Sequence, residues 1–148
     1  MVSGAAGEYR TNNIDTAPKW PDIPKHMTEL VNFINSRDYK LRPVDRAART
    51  HYRVMQIQPF PNFNNAVARL IMNFILIRHH YPLTIIKSDH KQDYLDCLSR
   101  SNPIYFLQFV TSCVLSASQS CLNRTQERLD LNLPSIKLAI NHADSEGH

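Results

Sequence analysis

Residues 56–76 read QIQPFPNFNNAVARLIMNFIL, and this stretch decides the fold. Its first half contains Pro59 and Pro61. Either proline ends a helix that reaches it, because proline has no N–H for the ladder and its ring clashes with the preceding turn. The second half is an apolar run preceded by Asn64 and Asn65, both good helix-start residues. A helix is therefore expected from Asn64 or Asn65 to about His80, carrying Leu70, Ile71, Phe74, Ile75 and Ile77. It is apolar on nearly all sides, the mark of a buried central helix. The loop before it has no acid, no base, no glycine and no nucleophile.

The same reading extends outward in both directions. Upstream, Val44, Ala47, Ala48, His51, Val54 and Met55 form the inner face of a helix that opens at Pro43. Before it, Met27, Leu30, Val31 and Ile34 keep i, i+3, i+4, i+7 spacing behind Pro24. Residues 1–22 show no period, and the prolines of APKWPDIP predict an extended arm with Trp20 packed on the body. Downstream, YPLTII reads as a short extended crossing. Ser88 opens a fourth helix with Tyr94, Leu95 and Leu98 inward. Pro103 opens a fifth, with Phe106, Phe109, Val110, Cys113, Val114 and Ala117 on one stripe. A bend at Pro134 would set off a short sixth helix, and NHADSEGH reads as a flexible tail. The expectation is an all-α bundle around a central helix: an arm or flap over 1–22, a core over 23–128, and a short helix with a tail over 129–148.

Composition removes several function classes. At 148 residues and 43% apolar content the chain suits one folded domain rather than a disordered polymer. The formal charge of +4 comes from scattered basic residues, which argues against a nucleic-acid partner. No run of ~18 apolar residues spans a membrane. Three cysteines without CxxC spacing give neither a disulfide framework nor a structural zinc site, and reduced, buried thiols are expected. His79 and His80 read as a surface pair, His51 as a hydrogen-bonded core residue, and Cys97 as a thiol without a histidine partner. The Asn123-Arg124-Thr125 triplet is a glycosylation sequon that counts only in a secreted chain. Compartment stays open between the cytoplasm and, with a signal outside this chain, the endoplasmic reticulum lumen.

A proline-bounded loop around a helix N-terminus suits phosphate, because free N–H groups and the positive dipole end face it. In this setting HYRVMQIQPFPNFNNAVARLIMNFILIRHHYPLTII, residues 51–86, resembles the core of a Fic domain. It is closest in pattern to the animal Fic AMP-transferases, whose motif runs H-P-F-x-[DE]-G-N-[GK]-R-x-x-R. The resemblance implies ATP and Mg²⁺ as reactants and a protein hydroxyl as acceptor. It places Gln58 where the family has its catalytic histidine and Asn62 where an acid holds Mg²⁺. Phe63 and Asn65 stand at the two glycines, and Ala66 at the first arginine. Pro59, Phe60, Asn64 and Arg69 remain. Asn64 then either helps form the anion hole or caps the helix, and Arg69 either meets phosphate or pairs with a local carboxylate. Tyr94 and Asn102 fall at nucleoside-pocket positions, with Tyr94 read first as plain core and second as a base-stacking residue. EYRTNNID resembles the family's target-docking flap, which leaves room for a small β-hairpin.

Losing a general base costs ~10²–10⁴ in rate, and losing one oxyanion-type contact roughly 10²–10³. The first expectation is therefore a catalytically impaired Fic-like pseudoenzyme that binds a protein partner and needs no cofactor, with a homodimer left open. The alternatives are a residual AMP-transferase using ATP and Mg²⁺, and a nucleotide-binding sensor.

Overall fold

The computed structural model describes residues 7–38, 40–100 and 102–145, with side chains to residue 133. Five α-helices follow one another: α1 Ile23–Asn35, α2 Pro43–Ile57, α3 Asn64–Arg78, α4 Lys91–Ser99 and α5 Pro103–Ser145. Single 3-10 turns at Trp20–Asp22 and Ser88–His90 lead into α1 and α4. The fold is all-α as expected. No strand occurs among the described residues, so the arm forms no hairpin there. Proline sits in the first two positions of α1 and α2, where its missing N–H is unneeded and its fixed φ suits the helix.

The element at the centre is α2, which packs against α1, α3 and α5. Its inner face carries the small residues Ala47, Ala48 and Thr50 beside His51 and Val54, all buried, and small side chains let neighbouring helices approach closely. The sequence pointed to α3 instead, and this is corrected. Ala68, Met72, Ile75 and Leu76 of α3 are buried, but Leu70, Phe74 and Ile77 are 71%, 61% and 53% exposed. An all-round apolar helix shows that both faces are apolar without saying that both are covered. One apolar cluster joins α2, α3, α4 and α5 around Met72, Leu76, Tyr94 and Phe106. A second joins α1, α2 and α3 around Ile23, Leu30, Val54 and Ala68.

α1 is held to α2 by a side chain that periodicity could not mark as buried. Arg46 is 8% exposed, and its Nη1 donates to the carbonyls of Phe33, Ile34 and Ser36 at 3.0, 3.2 and 2.7 Å. Its Nη2 donates to the Asp38 carbonyl at 3.0 Å. These are main-chain acceptors at and beyond the end of α1, where the helix dipole also favours a cation.

α5 departs from expectation at its far end. It runs unbroken through Pro134, with no separate sixth helix among the described residues. Proline removes one ladder bond and crowds one carbonyl, which costs a helix about 3 kcal/mol without forbidding it. Residues 141–145 of the expected tail belong to this helix, and 146–148 lie outside the described residues. Among its described side chains the buried ones lie in its first part, at Phe106, Val110 and Val114, while Leu115, Leu122 and Leu129 are exposed. Trp20, expected against the body, is 44% exposed, and the arm instead buries Arg10. The thiols are less buried than expected: Cys97 and Cys113 are half-buried and Cys121 is exposed. Desolvation pushes the Cys97 and Cys113 thiols above their usual range.

Arg46→Lys should destabilise the chain, because an ammonium cannot reproduce the fork that reaches several carbonyls at once. Arg46→Ala should cost about 2–3 kcal/mol, the worth of charge-assisted bonds at a buried site. Urea unfolding followed by circular dichroism measures both, and an unchanged midpoint in the alanine variant would show that α1 docks without this contact.

Candidate functional site

The loop between α2 and α3 is shaped by its backbone. Gln58 ends α2 in the left-handed region at φ 45°, ψ 60°, with its N–H donating to the Val54 carbonyl at 2.9 Å. Phe63 precedes α3 at φ 63°, ψ 18°, also left-handed. A residue with a Cβ pays roughly 1–2 kcal/mol there, and glycine does not. The chain thus holds two glycine-like conformations without a glycine.

Two side chains hold that shape. Asn64 clasps the loop across Phe60: its Oδ1 accepts from the Phe60 N–H at 2.9 Å and its Nδ2 donates to the Phe60 carbonyl at 2.8 Å. The expected capping role is corrected, since the N-cap is Phe63 and no side chain caps α3. The other clamp is Arg10, 1% exposed. Its backbone N–H donates to the Pro59 carbonyl at 2.8 Å, and its Nε to the Gln58 carbonyl, also at 2.8 Å. The remaining guanidinium nitrogens reach the carbonyls of Asn12, Pro18 and Ile57. Its hydrogen-bond partners are all carbonyls, several at the negative end of α2, so the helix end supplies the field that a carboxylate would otherwise provide. Sequence reasoning missed Arg10, and an isolated basic residue in an arm without periodicity gives no signal of burial.

The other expected site residues are scattered. Gln58 is half-buried, and Asn62, Asn65 and Ala66 are exposed. Phe63 is 78% exposed at the N-terminus of α3. Arg69 has no carboxylate partner among the described residues, which corrects the ion pair weighed for it. Its guanidinium carbon lies 5.2 Å from the Tyr94 ring centre, a cation–π contact, and its buried Nε has no hydrogen-bond partner among those residues. Tyr94 itself is core, 4% exposed, packed on Phe106 and Phe109 at ring distances of 6.0 and 6.3 Å. Burial raises the Tyr94 hydroxyl above its ordinary range, and the nearby Arg69 charge partly offsets this without hydrogen-bond geometry between the two groups. Asn102 is exposed and accepts from the Ile104 N–H at 3.0 Å, so its side chain caps α5.

His51 lies behind this group, fully buried, stacked on Phe106 at 4.8 Å and edge-on to Tyr94 at 5.7 Å. Neither ring nitrogen has a hydrogen-bond partner among the described residues, which corrects the hydrogen-bonded core histidine that was expected. Desolvation first, and then the Arg69 charge, hold its pKa down at about 3. It is a neutral aromatic in the core. His79 and His80 are exposed at the end of α3, and no group of three metal-ligating side chains occurs among the described residues. A cavity of about 740 Å³ opens on another side, between the arm and the α1–α2 pair, lined by Asp15, His26, Glu29, Arg53 and Gln56. Its walls do not include Gln58, Asn64 or Arg69.

Comparison with known proteins gives consistent matches. The model of the Fic/DOC family matches residues 1–76. A protein adenylyltransferase Fic of Nematostella vectensis is 36% identical over 118 residues, covering 73% of this chain and 27% of its own length. Its counterpart in Drosophila virilis is 29% identical, covering 96% of this chain and 30% of its own length. The chain thus spans about a quarter of the length of the curated relatives it matches. Among solved structures, a Fic domain containing signaling protein of Bacteroides thetaiotaomicron superposes with TM-score 0.66 at 30% identity, covering 75% of this chain and 52% of that one. Fic-1 of C. elegans superposes with TM-score 0.77 at 23% identity, covering 83% and 38%, a likeness of fold.

The buried histidine generates a pH dependence. The unfolded chain protonates His51 near pH 6.5 and the folded chain only near pH 3. Between those values the unfolded state binds more protons, so stability is lost as pH falls, by at most about 1.4 kcal/mol per pH unit from this group. Urea midpoints taken from pH 7 to pH 4 should fall less steeply in His51→Phe, whose ring suits the stack on Phe106. Equal slopes in the two proteins would mean that His51 titrates normally in the folded chain.

Proposed function

This chain belongs to the Fic/DOC family, and from that premise we propose that it is a Fic-fold pseudoenzyme, a binding module for a protein partner. The observation that carries the reading is Phe63. It occupies a left-handed conformation of the kind glycine serves, with its ring 78% exposed at the N-terminus of α3. A helix N-terminus behind a left-handed residue suits a phosphate, and here a large side chain stands where close backbone approach needs none.

The neighbouring positions support the same reading. Gln58 has an amide that takes no proton near neutral pH, so the loop offers no general base for a hydroxyl. His51 is neutral but enclosed by Tyr94 and Phe106, and does not substitute. The loop does not fit Mg²⁺ well either, because Asn62 brings a neutral amide where a hard cation favours carboxylate oxygen. Ala66 leaves no guanidinium one turn before Arg69, and Arg69 itself lies over Tyr94. For a partner, the groove beside the arm offers Asp15, His26, Glu29 and Arg53 together with apolar wall. The relatives named adenylyltransferases make residual AMP transfer the second reading.

The two readings separate on nucleotide binding. The bare helix N-terminus contributes about 0.3–1 kcal/mol to an anion, against about 8 kcal/mol for micromolar affinity. ATP should therefore bind at millimolar strength or not at all by isothermal titration, with no gain from Mg²⁺. Labelled ATP should leave no AMP on the chain or on candidate partners. A micromolar, Mg²⁺-enhanced site would favour a nucleotide-binding sensor instead, and incorporation that disappears in Gln58→Ala would establish the enzyme.

A further inference from the structure

The crossing between α3 and α4 has one edge in use and one edge free. Burial alternates along it: Thr84 and Ile86 are buried, and Leu83 and Ile85 are 58% and 69% exposed. A period of two is the mark of an extended strand, yet no strand lies beside it among the described residues. A side chain takes the neighbour's place. The Asn73 amide accepts from the Thr84 N–H at 2.8 Å and donates to the Thr84 carbonyl at 3.0 Å, the pair of bonds that a facing strand residue makes.

In an extended chain the N–H and C=O of one residue point to the same edge, and those of the next residue to the opposite edge. The Asn73 clasp on Thr84 therefore turns the main-chain groups of Leu83 and Ile85 away from Asn73. Neither residue's N–H or C=O has a hydrogen-bond partner among the described residues. A groove of about 580 Å³ runs between this segment and α5, with Leu83, Ile85 and Lys87 on one wall and Phe109, Ala117 and Arg124 on the other. Lys87 and Arg124 have no carboxylate partner among the described residues, and the acid of the groove, Asp93, lies 3.7 Å from His90.

We propose that residues 83–87 are a strand-addition site for an extended, apolar segment of a partner protein. The segment pairs its main chain with Leu83 and Ile85, sets alternate side chains in the groove, and places a carboxylate by Lys87 and Arg124. A free strand edge is a template for another main chain, so the matching ligand is a polypeptide. Charge separates a partner from a second copy: residues 81–87 carry one lysine and no acid, so the same segment from another protomer brings like charge to the groove. The inference rests on the reading of the chain as a protein-binding module and supplies the chemistry of its partner.

The test selects a random dodecapeptide library, displayed on phage, against the whole chain and titrates the selected peptides in synthetic form. They should carry apolar residues at alternate positions together with an acid. N-methylation of every second peptide amide should weaken binding at least tenfold in one register and leave it unchanged in the other, because only one edge of the peptide meets the chain. Bound peptide should slow hydrogen exchange of the Leu83 and Ile85 amides, whereas the Thr84 amide is slow with or without it. Ile85→Pro removes a free N–H and keeps the Thr84 clasp, since a residue before proline is held extended. It should weaken binding at least tenfold, and Ile85→Val should not. If the proline variant loses its helical signal, the N-methyl series on the wild-type chain decides. No peptide above background, or equal loss in both N-methyl registers, overturns the inference. Slowing of the Leu83 and Ile85 amides with rising chain concentration and no peptide overturns it as well, by making a second copy the occupant. Peptides that bind the folded Ile85→Pro chain as tightly as the wild type also overturn it, by placing the partner elsewhere, and leave the binding-module reading standing.

Discussion

A helix that ends inside a protein leaves carbonyl groups that must find donors, and in this chain a buried guanidinium answers that need twice. Arg10 closes the end of α2 and Arg46 closes the end of α1. Each is nearly buried, and neither has a carboxylate partner among the described residues. An unpaired charge in an apolar interior would be far too costly. Here the carbonyl dipoles of a helix terminus take the place of a counter-ion, and each arginine gains several charge-assisted bonds.

Arg10 matters most because of what it ties together. One residue of the N-terminal arm bonds to the backbone of Ile57, Gln58 and Pro59, while Asn64 holds Phe60 from the other side. All these contacts go to main-chain atoms. The loop can therefore change its side chains at Gln58, Asn62, Phe63 and Ala66 without losing its course. Shape and side-chain chemistry are separable at this loop for that reason: the anchors read the backbone, while the side chains of Gln58, Asn62, Phe63 and Ala66 only project from it. Gln58 and Phe63, the left-handed residues of this loop, are each a local cost sustained by anchors on both flanks.

The fold was legible where a local rule dictates it. Pro24, Pro43 and Pro103 mark helix starts, and Pro59 with Pro61 marks the loop, because proline's geometry acts within a turn. The inner stripes of α1, α2 and the first part of α5 followed from period alone. What escaped was long-range. Arg10 and Arg46 look like surface residues until the helix ends they close are placed beside them. Phe74 and Ile77 look like core until the fold shows one side of α3 uncovered. At the site, motif positions identified the loop, but the partners of Asn64 and Arg69 depended on neighbours 4 to 25 positions away that no spacing rule joins. Pro134 shows the opposite failure, a strong local rule overridden along a continuing helix.

Separability of shape from chemistry rests on the backbone anchors being closed in the free chain, and amide hydrogen exchange reads this directly. The Arg10 amide, which donates to the Pro59 carbonyl, and the Phe60 amide, which donates to Asn64, should both be protected without any nucleotide present. Asn64→Ala should release the Phe60 amide and leave the α2 amides slow. Exchange of the Arg10 and Phe60 amides at the rate of an unstructured peptide in the wild-type chain would contradict it, and would mean that the loop takes its shape only when something binds.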